Sequence, residues 1–205
     1  MNHFFVGIAG GSGSGKSTLS YRLRDNFPDF IEVVHFDDYI KEDKDVPFLE
    51  GMRNWDHPDA IYFEKLYQDL LLLKEDQKIK IMTKSSIINP IYEEKGRIQH
   101  TLEPKKIIIV EGYMALLNKK INDLFDLKIF LNIPINESIT RRNKTTYDNE
   151  SEYNKKILIP MHKKYVEPTK NNADLLIDAL NNNKDEVYKI VFDKLTKIKL
   201  LPSNS

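Results

Sequence analysis

Gly7-Ile8-Ala9-Gly10-Gly11-Ser12-Gly13-Ser14-Gly15-Lys16-Ser17-Thr18 is the stretch that decides the fold. Within it, Gly10 to Ser17 matches G-x-x-x-x-G-K-[ST]. Glycines let consecutive backbone N–H groups converge on phosphate oxygens without side-chain obstruction, and the helix that follows adds the positive end of its dipole. Gly10, Gly11, Ser12, Gly13, Ser14, Gly15, Lys16, Ser17 and Thr18 therefore read as a cradle for nucleotide phosphates. Lys16 would reach the β- and γ-phosphates, and the Ser17 hydroxyl would ligate magnesium. The motif requires a strand before it and a helix after it, and both are legible. The dinucleotide pattern G-x-G-x-x-G fits only loosely, because Lys16 stands where its third glycine belongs.

Outward from the loop, short apolar runs alternate with helical patterns. The spacing predicts strands over residues 4–8, 31–36, 106–110, 127–133 and 175–177. It predicts helices over 16–27, 58–74, 135–145, 153–165 (interrupted near Pro160) and 185–198. The run Ile107-Ile108-Ile109-Val110 is wholly β-branched, which suits a strand buried on both faces of a parallel sheet. Alternating strands and helices imply an α/β fold with a mostly parallel sheet. Residues 78–100 break the rhythm with Pro90, Gly96 and short β-like pieces at 79–82 and 86–88. They read as an inserted hairpin or flap.

Composition bounds the rest. The 205 residues suit one domain, 1–205, which buries roughly 70% of its unfolded surface without staples. There is no cysteine, which excludes disulfides, Cys-based zinc sites and thiol nucleophiles. Lys plus Arg and Asp plus Glu number 31 each. A generic nucleic-acid binder shows a basic excess, so nucleic acid is not expected as a partner. No apolar run approaches the ~18 residues of a membrane span, and no basic segment precedes the first apolar run as in a signal peptide. A cytoplasmic location is the expectation, and homo-oligomerisation is left open.

Three further groups carry chemistry. Asp37 and Asp38 end the second predicted strand, beside the phosphate loop if strand ends gather at one sheet edge. A carboxylate there can take a proton from an acceptor hydroxyl or hold magnesium. Glu111 ends the β-branched strand, where an acid orients magnesium or its water. Arg141 and Arg142 lie in a predicted helix accompanied by Lys144, Lys155, Lys156, Lys163, Lys164 and Lys170. That segment, about 141–165, reads as a lid able to supply a cationic clamp for phosphoryl transfer. A guanine-specific N-K-x-D string is missing, since Asn183-Lys184-Asp185-Glu186 fails at its last position.

In order along the chain, these residues resemble the uridine kinase family of P-loop kinases, whose relatives include nicotinamide riboside kinase and phosphoribulokinase. Phe36-Asp37-Asp38-Tyr39-Ile40-Lys41 is similar to its acidic catalytic stretch. Asn54-Trp55-Asp56-His57-Pro58-Asp59-Ala60 is similar to its N-[FW]-D-H-P-[DE]-A string, the most distinctive match. Glu111-Gly112, Arg141-Arg142, Tyr165-Val166-Glu167-Pro168-Thr169-Lys170 and Ala173-Asp174 resemble its later motifs. The resemblance implies a three-layer P-loop fold with a flap and a helical lid. It implies in-line transfer of the γ-phosphoryl group of ATP to a hydroxyl of a small molecule, foremost uridine or cytidine. Asp37 would then be the base, with Lys16, Arg141 and Arg142 neutralising charge. Ser17, Glu111 and Asp37 would hold Mg2+. Asp56 would bind acceptor hydroxyls, with Tyr39 and Tyr92 on the acceptor side. His57 packs at a helix start and is given no catalytic role.

The chain departs from the family where the acceptor and lid are contacted. Arg97 stands where the flap motif carries histidine, and Ser138 where an arginine precedes the lid pair. Thr145 to Glu150 replace a basic lid stretch. These departures point towards another riboside, a sugar or a small alcohol. A nucleotide-binding regulator that has lost transfer is the alternative from another class.

Overall fold

Ile107–Glu111 is buried at every position, and a strand with no exposed residue belongs inside a sheet. The structure, a computed structural model, describes residues 2–145 and 151–202. The sheet strands are β1 (Phe4–Gly10), β2 (Ile31–His35), β3 (Ile107–Glu111), β4 (Leu127–Asn132) and β5 (Leu175–Asp178). Their order is β2-β3-β1-β4-β5, and every pairing is parallel. All five carboxyl ends therefore share one edge, the edge at which open α/β sheets bind ligands.

Alternation along the strands divides the core into two layers. On one face Val6, Ile8, Val33, Ile107 and Ile109 pack with Leu19 and Leu23 of α1 (Lys16–Asn26). Val191 and Leu195 of α4 (Lys184–Lys197) complete that layer. On the other face Phe5, Val34, Ile108 and Val110 meet Leu66, Leu70 and Leu73 of α2 (Phe63–Lys74). The remaining long helix is α3 (Ile135–Thr145). Among the described residues no helix is long and apolar enough to cross a membrane.

Residues 58–74 are not one helix. Pro58–Ala60 makes a single 3₁₀ turn, and Ile61 then pairs antiparallel with Ile40. Lys41 N–H donates to the Ala60 carbonyl at 2.8 Å and Tyr62 N–H to the Tyr39 carbonyl at 2.9 Å. These bonds hold Ile61 extended, so the α-helix begins only at Phe63. Ile79–Thr83 and Ile98–Leu102 form an antiparallel hairpin. Residues 86–88 are a turn rather than a strand, because the N–H groups of Ile88 and Asn89 both donate to the Ser85 carbonyl.

The segment around Pro160 stays helical instead of breaking. Residues 154–158 and 162–166 are π-helical on either side of Ile159–Met161. Proline cannot donate to a carbonyl one turn back and its ring collides with it, and wider turns accommodate both defects.

Gly112 follows β3 where no side chain fits. A Cβ there would fall on the Cβ of Phe36 and 2.6 Å from its Cγ. Both neighbours are buried, so overpacking cannot relax into solvent. Gly112→Ala is expected to lower unfolding free energy by about 1–3 kcal/mol, read from denaturant titration.

Candidate functional site

The register of the sheet assembles the site. His35, last in β2, lies directly beside Glu111, last in β3. Ile8 of β1 is Glu111's partner on the other side, so the loop leaving β1 rises next to the carboxylate. Gly15 enters α1 with φ of +94°, a left-handed conformation that glycine adopts without strain. The turn swings Lys16 and Ser17 back over the strand ends. Ser17 Oγ lies 3.1 and 3.2 Å from the two carboxylate oxygens of Glu111, donating to that carboxylate. Lys16 Nζ donates to the Gly11 carbonyl at 2.9 Å.

Glu111 is only 1% exposed and shares its carboxylate with Ser17 and with the Nδ1 of His35. Burial opposes charge on His35, but the hydrogen bond and charge of Glu111 prevail and raise its pKa to about 9. Lys16 is shifted the other way: burial lowers its pKa, against the attraction of Glu111 and Asp37.

The two aspartates have separate tasks. Asp37 lines a cavity of about 520 Å³ together with Lys16, Ser17, Glu111 and Asp56. Asp38 faces the flap, where its Oδ1 accepts the Lys84 N–H at 2.7 Å. Arg97 does not face an acceptor. It donates to the carbonyls of Asp38 at 2.6 Å, Ile40 at 2.9 Å and Met82 at 3.2 Å, tying the flap to the segment after β2.

Asp56 is held by Tyr153, whose hydroxyl donates to Oδ2 at 2.7 Å. Tyr113 fixes the same loop by donating to the Trp55 carbonyl at 2.8 Å. His57 accepts the Asp59 N–H and meets the Tyr165 hydroxyl at 3.1 Å, a packing role.

Other residues expected at the site stand elsewhere. Tyr39 is buried, and its hydroxyl donates to Asp69 of α2 at 2.8 Å, so it faces the core and not the cavity. Tyr92 sits on the short flap helix Tyr92–Lys95 and lines neither large cavity. Arg141 bonds Glu137 at 2.8 Å and the Ala179 carbonyl at 3.2 Å. It lines a second cavity of about 900 Å³ with Gly13, Gly15, Thr18 and Asn183. The side chain of Arg142 lies outside the described residues. Lys155, Lys156, Lys163 and Lys164 point to solvent, and Lys156 pairs with Glu152. They form a solvated helix face and no clamp.

His35, Lys84, Tyr153 and His162 line the 520 Å³ cavity without having been singled out. Only His35 had a legible signal, as the residue closing a strand just before Asp37. Tyr153 and His162 are nine positions apart, about two and a half turns of a regular α-helix. The π-turns between them lessen that offset, and no residue pattern announces it.

A family model described as "Phosphoribulokinase / Uridine kinase family" matches residues 5–186. The chain belongs to this family. It is 34% identical over 199 residues to a uridine kinase of Clostridium botulinum strain Okra, covering 91% of this chain and 93% of the relative. A uridine kinase of Chlamydia pneumoniae is 30% identical over 203 residues, with 95% and 90% covered. A solved structure described as a possible uridine kinase from Bacillus stearothermophilus shares the fold. Its TM-score is 0.58 at 22% identity, over 87% of this chain and 90% of that one. The protein is thus a kinase that phosphorylates an alcohol group.

The His35–Glu111 pair gives this kinase a signature in pH. A group whose pKa rises on folding contributes stability fully below its unfolded value, near 6.5. That contribution is lost as pH rises through about 9. In magnesium-free buffer, unfolding free energy should fall between about pH 6.5 and 9. His35→Asn should flatten that limb, as urea titrations at each pH would show.

Proposed function

We propose that this kinase transfers the γ-phosphoryl group of ATP to a hydroxyl of a small molecule bearing vicinal hydroxyls, of the nucleoside or riboside class. The curated relatives quoted above are uridine kinases, which supports the riboside class. The observation that carries the reading is the 520 Å³ cavity. One wall is the phosphate loop at Ser12, Gly13, Lys16 and Ser17, and Asp37 and Asp56 face the same space. Gly13 also lines the second cavity, so a nucleotide can lay its phosphates across the loop and its adenosine beside Thr18 and Arg141.

The donor set fits magnesium. Mg2+ prefers oxygen ligands, keeps several waters, and takes one or two carboxylates together with substrate phosphates. Ser17 and Glu111 offer a hydroxyl and a buried carboxylate side by side, with Asp37 in the same cavity. Among the described residues there is no cluster of three or more His, Cys, Asp or Glu side chains that would form an all-protein cage. Bound there, the ion would neutralise charge on the transferring phosphoryl group.

The chain's own groups do the rest. Asp37 orients the acceptor hydroxyl and takes its proton. Asp56, positioned by Tyr153, accepts hydrogen bonds from the vicinal hydroxyls, for which a carboxylate is suited because both its oxygens accept. Lys16 stabilises negative charge as the γ-phosphoryl group moves.

Purified protein with Mg-ATP and a panel of nucleosides, ribosides and sugar alcohols should release ADP only when an acceptor is present. Failure with every compound would favour a nucleotide-binding regulator. Asp37→Asn should cut kcat by roughly 10²–10⁴-fold while ATP affinity changes little, by titration calorimetry. Near-normal turnover would remove Asp37 as the base.

A further inference from the structure

We propose that the acceptor carries a negatively charged group, a carboxylate or a phosphate, and that Lys84 recognises it with the help of Arg53. The inference rests on the kinase reading of the 520 Å³ cavity and concerns what that cavity selects.

Lys84 and Arg53 both line the cavity that Asp56 and Trp55 also line. Lys84 directly follows the first flap strand, and its backbone is anchored by the 2.7 Å bond to Asp38. Its root is therefore fixed while its stem reaches into the cavity. Among the described residues its ammonium makes no hydrogen bond and no ion pair, although the side chain is half-buried. Arg53 has a similar charge state. It donates to the Asp43 carbonyl and lies 4.9 Å over the Phe48 ring, and both partners are neutral. It too forms no ion pair among the described residues, and its remaining donors are not consumed.

The cavity's carboxylates do not answer these cations. Glu111 is engaged by Ser17 and His35. Asp56 is engaged by Tyr153. Asp37 is reserved for the acceptor hydroxyl in the proposed reaction. Among the described residues Lys84 and Arg53 form no ion pair with these carboxylates, so their donors stay open to a ligand in the cavity. An anion on the ligand supplies the missing partner, through strong charge-assisted hydrogen bonds. Asn and Gln, the side chains that read the edge of a neutral nucleobase through paired donor and acceptor, are missing from the lining. A site that leaves charged donors unpaired against a neutral acceptor discriminates against it.

Matched acceptors test this. With Mg-ATP, kcat/KM for ADP release is compared for orotidine against uridine as the carboxylate arm. Ribulose 5-phosphate against ribulose supplies the phosphate arm. In the carboxylate or the phosphate arm, the charged member should be preferred by about tenfold or more. The arm in which this happens identifies the anion. Lys84→Met should reduce that preference at least about tenfold, and Lys84→Arg should retain most of it. Thermal melts of both variants verify folding. Equal or better use of the neutral members would overturn the inference and leave the kinase reading intact. So would a Lys84→Met variant that lowers both members of a pair alike, since Lys84 would then serve the nucleotide. No ADP release in any arm would overturn the proposed acceptor class, and this inference with it.

Discussion

Glu111 sits at the end of a fully buried strand with almost no contact with water, and a carboxylate in such a place must be surrounded by donors. His35 and Ser17 supply them. They come from two different elements, one on the neighbouring strand and one on the helix after the phosphate loop. Satisfying one acid therefore ties β2, β3 and α1 together at the edge where the strands end. Asp37 follows two residues after His35, so the same constraint carries it into the cavity. Lys16 is held in the same neighbourhood, its charge opposed by burial and favoured by Glu111 and Asp37. If the parallel register slipped by one position, His35 and Glu111 would no longer lie side by side.

Away from that centre, the cavity wall depends on longer connections. The flap hairpin is attached to the segment after β2 by Arg97, which gathers three main-chain carbonyls, and by Asp38. This explains the arginine where the family resemblance expects a histidine. The side chain has become an anchor for the wall, and Lys84, after the first hairpin strand, lines the cavity. The helical segment 154–166 shows a comparable division. Its lysines solvate the outer face, while Tyr153 and His162 are turned inward by a helix widened around Pro160. Ser138, standing where an arginine is expected, donates to the Ser12 carbonyl and pins α3 to the phosphate loop.

Much of the fold and part of the candidate site could be read from residue order. A glycine-rich loop between a strand and a helix is legible because consecutive N–H groups can converge on an anion where side chains do not obstruct them. The β-branched run at 107–110 could only be an interior strand. Tyr39 and Tyr92 stand away from the cavity for one reason. Proximity to a motif in sequence says nothing about which way a ring points, and Tyr39 found a buried partner in Asp69, thirty residues on. Arg141 was misplaced similarly: its helix turns it towards the Ala179 carbonyl and the second cavity.

By itself, then, the sequence determined the phosphate loop, the parallel α/β architecture and the acidic residues at the strand ends. Each is written in local pattern, where backbone sterics and periodicity act over a few residues. The tertiary structure alone decided that His35 meets Glu111, that Tyr153 holds Asp56, and that Lys84 and Arg53 share one cavity. These pairings join residues up to 97 positions apart. They follow from strand register, the anchoring of the flap and the widened lid helix, whose geometry no short stretch of residues contains.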